Sequence, residues 1–274
     1  MTLFSFGHIL WIVISGLLIL AGTAVCIRRK PDIDRLMKIC FVFSLGSEVI
    51  KYFSMIQIVP MVDPAIAEQN GTMVLSSVPI GQYTPMLPLE HLPLELCSIQ
   101  MLFMGLYCLV NDEKKKHWIR AFMFPCGVLG AALGILLPSL TAYLHTNAEY
   151  FLTIRAWQYF LYHAMLVVLC LYLGISEKGQ LKFQDWKTAV TLLIALDLPT
   201  FYLNSIFSNQ VYQNDHLIGV THRINYFSSY VNPLGLVLTE KWQWGVYLLI
   251  RAVLAVGLII LIYTPLRHAR SADE

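Results

Sequence analysis

His91-Leu-Pro-Leu-Glu-Leu-Cys-Ser-Ile-Gln100 opens an apolar run that continues to Val110. About 20 residues of that character cross a bilayer as a helix. Yet its first turns carry an imidazole, a carboxylate, a thiol and an amide. Such groups are costly in lipid, so at that depth they face a protein interior or a water-filled cavity. What the chain does therefore turns on whether other apolar runs bring matching groups to the same level.

The rest of the sequence has the same membrane character. Its 274 residues are 57% hydrophobic and 13% charged, where a soluble domain carries about 25% charged residues. The net charge of +2 gives no nucleic-acid surface, because the basic residues sit in short clusters at the ends of apolar runs. Seven runs can be drawn, at 9–27, 36–58, 91–110, 119–144, 156–175, 188–208 and 243–264. They predict an all-α polytopic protein, one seven-helix transmembrane domain over 1–274, with outer loops at 59–90 and 209–242. The run from Leu3 to Ile27 lacks a basic start, and Arg28, Arg29 and Lys30 follow it. It reads as a span inserted N-terminus outward, not as a removable signal.

Orientation follows from Lys and Arg. With the N-terminus outside, the inner connections hold Arg28, Arg29, Lys30, Arg35, Lys38, Lys114, Lys115, Lys116, Arg120, Lys178, Lys182, Lys187, Arg267 and Arg270. The outer ones hold Arg155, Arg223 and Lys241, while Lys51 and Arg251 fall within spans. This asymmetry satisfies the positive-inside rule and places the C-terminus inside.

Taken in order, the first span is scaffold, with His8 expected solvated at its outer end. In the second, Glu48 and Lys51 share one helical face, as a packing ion pair or as cavity lining, with Lys51 about 10 Å below the outer end. The loop 59–90 is rich in proline and carries the sequon Asn70-Gly-Thr72, meaningful only on a eukaryotic secretory route. In the third span Pro93 suits a first helical turn, and Cys97 lies roughly 9 Å below the boundary. Cys26, Cys40, Cys108, Cys126 and Cys170 fall in inner halves, so no disulfide framework is indicated. Gly127, Gly130 and Gly134 form a small-residue ladder for close helix packing. His163, with Tyr159 on its face, lies about 10 Å deep in the fifth span. Asp197, Thr200 and Asn204 form a polar face in the sixth, with Pro199 as a kink. Asn225 lies in the aromatic last outer loop, and Tyr247 and Arg251 share a face of the seventh span.

Lys51, Glu95, Cys97, Gln100, His163, Asp197, Asn204 and Arg251 thus fall at similar depths in the outer half, which predicts a polar chamber opening outward. Within it Cys97 and His163 suit a nucleophile and its base. Arg251 or Lys51 suits a thiolate or a phosphate, and Gln100, Asn204 or Asn225 an oxyanion. No tight ligand spacing implies a metal, and no cofactor is indicated.

The block His91-Leu-Pro-Leu-Glu-Leu-Cys-Ser98 resembles the Leu-Pro-Leu-His-Leu-Cys signature of the YwaF-like bacterial integral membrane family. Phe6-Gly-His8, the histidine of the fifth span, Arg223-Ile-Asn-Tyr, Asn232-Pro and Trp242-Gln-Trp-Gly-Val-Tyr extend the likeness along the chain. Glu95 and Asn232 stand where that family tends to have His and Lys. Animal relatives of similar pattern are phospholipid acyltransferases with a membrane cysteine as proposed nucleophile. The resemblance implies Cys97 as nucleophile and His163 as its base, and the chamber reading places Glu95, Gln100, Lys51, Asn225, Arg251 and Asp197 around the substrate. An outward site is cut off from cytosolic acyl-CoA. The expected activity is therefore transacylation between membrane phospholipids, as donor and acceptor, at the external leaflet of a bacterial plasma membrane. Two readings from other classes stand beside it. A solute or ion-coupled transporter would use the same charged groups without the thiol. A seven-helix receptor would share only the topology, since the last span has no lysine for a retinal Schiff base.

Overall fold

The computed structural model of the chain describes residues 4–60, 83–88, 91–138, 140, 144, 146–176, 180–213, 216–222 and 240–269. The elements follow the apolar runs closely: α1 (Phe6–Arg29), α2 (Ile33–Met55), α3 (Ile99–Leu109), α4 (Glu113–Leu136), the short α5 (Glu149–Leu152), α6 (Ile154–Ile175), α7 (Trp186–Phe207), α8 (Lys241–Tyr263) and α9 (Pro265–Ala269). The chain is mostly helical. Among the described residues five helical stretches are long and apolar enough to cross a membrane: Phe6–Arg29, Glu113–Leu136, Ile154–Ile175, Phe183–Phe207 and Lys241–Tyr263.

The second and third runs depart from the simple pattern. α2 is one unbroken helix of 23 residues despite Glu48 and Lys51 in its interior. It has the length of a span but not the apolar composition. The third run is corrected: its helix begins only at Ile99 and has 11 residues, about 16 Å against a hydrocarbon core of about 30 Å. Residues 91–98 are turns and bends, so Pro93 opens no helix and a depth counted from His91 along a helix does not apply to Cys97. The expected loops also hold β-structure where they are described. Antiparallel pairs join β1 (Gln57–Pro60) to β2 (Tyr83–Met86) and β3 (Asn209–Gln213) to β4 (His216–His222). Asn70, like most of both loops, lies outside the described residues.

The chain divides into two compact units. One comprises Met1–Ser54, Glu95–Ile194 and Ile250–Glu274, the other Met55–Leu94 and Ala195–Leu249. In the first, α6 packs along both α4 and α1, and α3 lies on α4. α4 starts at Asp112, whose side chain accepts from Lys114 N–H at 2.8 Å and Lys115 N–H at 3.3 Å. Its residues from Ile119 to Gly127 are buried without interruption, Arg120 among them, so this stretch is covered on every side. α1 is fixed by Trp11, fully buried, stacked on Phe160 at 4.9 Å and donating its indole N–H to Tyr150 O at 2.7 Å. His8 is a correction. It is buried, accepting at Nδ1 from Phe4 N–H (3.1 Å) and bonded through Nε2 to Ile135 O (3.0 Å). α8 is tied to α4 by Tyr263, whose hydroxyl donates to Ala121 O at 2.8 Å.

α2 is held at both ends. Near its start, Asp34 accepts from Tyr107 OH at 2.6 Å and from Lys116 Nζ at 3.0 Å, and the buried Arg120 donates to Tyr107 OH at 3.1 Å. Further along, Ser47 Oγ accepts from Gln158 Nε2 of α6 at 2.5 Å. The second unit contains both strand pairs and the latter part of α7. That helix runs through Pro199 without a break, with Thr200 and Asn204 buried and Thr200 Oγ1 donating to Asp197 O at 2.5 Å.

Candidate functional site

α4 supplies the floor. Gly127, Gly130 and Gly134 fall on one face, and each is bare because a polar group of a neighbouring segment occupies the space of a side chain. A Cβ on Gly134 would lie 2.5 Å from His163 Nε2, and one on Gly130 would lie 3.1 Å from Cys97 N. At Gly127 it would run into Cys170 Sγ and come within 3.6 Å of the Gln100 amide carbon. Gln100, the Cys97 backbone and the His163 ring therefore stand in sequence along one helix, each about one turn, or 5–6 Å, from the next. The ladder was expected to serve packing alone. It does serve packing, and what it packs is the segment bearing the thiol and the imidazole.

The segment carrying Cys97 is irregular, so its carbonyls need partners other than a helix provides. Two side chains supply them. Tyr162 OH donates to Cys97 O at 2.9 Å, and Gln100 Nε2 donates to Leu96 O at 3.1 Å. Glu95 O receives Ile99 N–H at 2.8 Å and starts α3. Irregular backbone stays buried where its polar groups find partners, and here Tyr162 and Gln100 provide them. Cys97 is half-buried; its side-chain hydrogen-bond partner is Ser98 Oγ at 3.9 Å, and no hydrogen bond joins it to His163.

His163 is buried, and its Nδ1 lies 2.7 Å from Tyr159 O. A carbonyl only accepts, so Nδ1 carries the proton and Nε2 is left with the lone pair of the neutral ring. Among the described residues Nε2 has no partner, and neither has the buried Gln100 Oε1. Tyr159 reinforces the arrangement by donating its hydroxyl to Gly134 O at 3.0 Å. The contrast with His8, both of whose nitrogens are engaged, separates a structural histidine from one with an unused base.

Lys51 is buried and pairs with Glu48 at 2.5 Å, as a packing pair on one helical face would. Its ammonium also acts electrostatically on Cys97 and Arg155, and Glu95 acts on the same thiol. Arg251 is half-buried on α8 and has partners of its own. Asp197 and Asn204 belong to the second unit, and Asn225 lies outside the described residues. The structure thus brings Cys97, Gln100 and His163 together on α4, with Lys51 and Glu95 within electrostatic reach of the thiol. Sequence reasoning missed Tyr162, which nothing distinguishes from the other tyrosines of its helix until the fold sets it against Cys97. All six cysteines are free, and among the described residues no cluster of side chains suits a metal ion.

A family model described as the TMEM164 family matches residues 3–263. No curated protein and no solved structure matches the chain.

Proposed function

The chain belongs to the TMEM164 family of transmembrane proteins, and from the site it carries we propose that it is a membrane-embedded transacylase working through a thioester on Cys97. Five of its passes are α1, α4, α6, α7 and α8. α2 and the broken segment of residues 94–109 supply the other two, with the N-terminus outside and the site open to the outer leaflet of a plasma membrane. The placement of Cys97 carries this reading: a thiol on unwound backbone whose main-chain N packs on Gly130 of α4, one turn from Gly134, where the His163 ring lies. The likeness of residues 91–98 to the YwaF-like family, whose animal relatives of similar pattern are phospholipid acyltransferases, points the same way.

In the first half-reaction His163 Nε2 takes the Cys97 proton and the thiolate attacks the ester carbonyl of a donor phospholipid. A C–S bond forms, the ester C–O bond breaks, and the released lysolipid oxygen takes the proton back from His163. In the second, Nε2 removes the proton of an acceptor hydroxyl, whose oxygen attacks the thioester. A new C–O bond forms, the C–S bond breaks, and the sulfur recovers the proton. The positive charge of Lys51 favours the thiolate. The second amide hydrogen of Gln100 serves the oxyanion. No acyl-CoA enters, and no cofactor is required.

Incubating the purified protein in nanodiscs with phospholipid bearing an alkyne-tagged acyl chain tests this. The expected result is a covalent label on the peptide containing Cys97, released by neutral hydroxylamine and lost in Cys97→Ala. Absence of any hydroxylamine-sensitive label, together with unchanged acyl exchange in Cys97→Ala membranes, would overturn it.

A further inference from the structure

Between α1, α2 and α6 lies a second feature, a cavity of about 360 Å³. Its walls include Gly22, Leu36, Cys40, Phe43, Leu161 and Met165, and none of the residues expected at the reactive site. α2 is tied near its start, through Asp34 to Tyr107 and Lys116, and again at Ser47 to Gln158, and the cavity lies along the stretch between those ties. Along α2 it runs from Leu36 to Phe43 and along α6 from Leu161 to Leu169. Those lengths are about 10–12 Å, against the roughly 15 Å that one leaflet's chains span in the hydrocarbon core.

One end of this crevice is polar. The stripe Leu36, Cys40, Phe43 continues along the same face of α2 to Ser47 and Lys51, and the stripe Met165, Leu161 continues along α6 to Gln158 and Arg155. There Gln158 bonds Ser47, Arg155 bonds Gln158, and Lys51 pairs with Glu48. Two cations, Lys51 and Arg155, come together at this end, near enough to act on one another, beside the carboxylate of Glu48. An apolar cavity excludes water, and an empty one forfeits the dispersion contacts of its lining. In hydrocarbon, the group available to fill it is a lipid chain.

We propose that the crevice between α1, α2 and α6 binds one acyl chain of a phospholipid, whose anionic phosphate rests against Lys51 and Arg155. This lipid is not the one that reacts. On α6 the residues Tyr159, Tyr162 and His163 contact α4 or the Cys97 segment, while Leu161, Met165 and Val168 line the crevice, so the helix separates the apolar length of the crevice from the reactive segment, and Lys51 borders both. The bound lipid fills the space behind α2 and joins it to the bundle.

The test uses the full chain in phosphatidylcholine nanodiscs doped with phosphatidylglycerol bearing a diazirine in one acyl chain, with adducts mapped to residues after irradiation. Adducts should concentrate at Leu36, Cys40, Phe43, Leu161 and Met165. They should fall at least fivefold in Cys40→Phe and in Ala164→Phe, which fill the crevice from opposite walls. Adducts spread evenly over lipid-facing residues such as Leu20, Leu133 and Leu254 would overturn the proposal, and that map needs no variant. The same chain on diacylglycerol, which lacks the phosphate, should label the crevice several-fold less; equal labelling would overturn the head-group contact. Photolabelling needs no turnover, so Cys97→Ala should label the crevice like the parent chain. Failure of the thioester experiment and failure of this one are then separate results.

Discussion

Tyr162 OH reaches the carbonyl of Cys97 across 2.9 Å and 65 residues of sequence. That hydroxyl is the partner of a carbonyl that an unbroken helix would have bonded internally. Tyr162→Phe keeps the ring and removes the donor, so a buried acceptor is left unsatisfied, at about 1–3 kcal/mol. The expected outcome is a lower melting temperature in detergent and a thioester yield at Cys97 reduced more steeply than stability alone accounts for. Comparing both readouts on folded protein below the melting transition checks it.

The glycines of α4 differ from Gly16 and Gly46 in a way that can be measured. A Cβ at Gly134 would press on the His163 ring, whereas at Gly16 of α1 and Gly46 of α2 it would meet nothing within 4 Å. Gly134→Ala is expected to destabilise by about 1–3 kcal/mol through overpacking and to displace the imidazole, lowering transacylation at least tenfold. Gly16→Ala and Gly46→Ala are expected to stabilise by up to about 1 kcal/mol, since alanine is the better helix former. Melting of the three variants side by side checks the order.

Near the start of α2, Tyr107 bonds both Asp34 and Arg120. The Asp34 side chain is 49% exposed and that of Arg120 only 7%, so the two ends respond differently to change. Asp34→Asn is expected to cost at most about 1 kcal/mol, a value that shrinks in high salt, as for other exposed pairs. Tyr107→Phe removes a partner from a buried guanidinium and is expected to cost about 2 kcal/mol with little salt dependence. Thermal melts at low and high salt separate the two.

How far these relationships were legible in the sequence depends on the distance over which each is decided. A long apolar run sets its own helix, which is why α1, α4, α6, α7 and α8 lie where the runs lie. The break before Ile99 is different. Leu94-Glu-Leu-Cys-Ser98 has an apolar pattern that a helix would also accept, and the bonds replacing the helix come from Tyr162, on another helix, and from the Gln100 side chain. His8 and His163 are alike in sequence, each at the edge of an aromatic run. They part only when Ile135 O, on α4, takes up the second nitrogen of one and nothing described takes up that of the other. The crevice had no sequence signal, because Leu36, Cys40 and Phe43 would read the same packed against a helix or against a lipid.

The ion pair inside α2 gives the sharpest electrostatic expectation. Lys51 is 8% exposed at its side chain and Glu48 is 29% exposed, so the two partners are not equally dependent on each other. Removing the carboxylate, as Glu48→Gln, leaves a largely enclosed ammonium without the carboxylate that pairs with it. That costs about 3 kcal/mol, the lower end for a broken buried pair because Glu48 keeps some access to solvent. Removing the ammonium, as Lys51→Met, leaves a carboxylate that can still be solvated, and a flexible apolar side chain fills the vacated volume; about 1 kcal/mol is expected. In the double variant neither charge remains, so the loss should be close to that of Lys51→Met alone, giving a coupling energy of about 2–3 kcal/mol in the cycle. Equal costs for the two single variants, or simple additivity in the double, would mean that Lys51 is held by something other than Glu48. If Lys51 also steadies the Cys97 thiolate, Lys51→Met should slow thioester formation while Glu48→Gln, measured on the fraction that remains folded, should not.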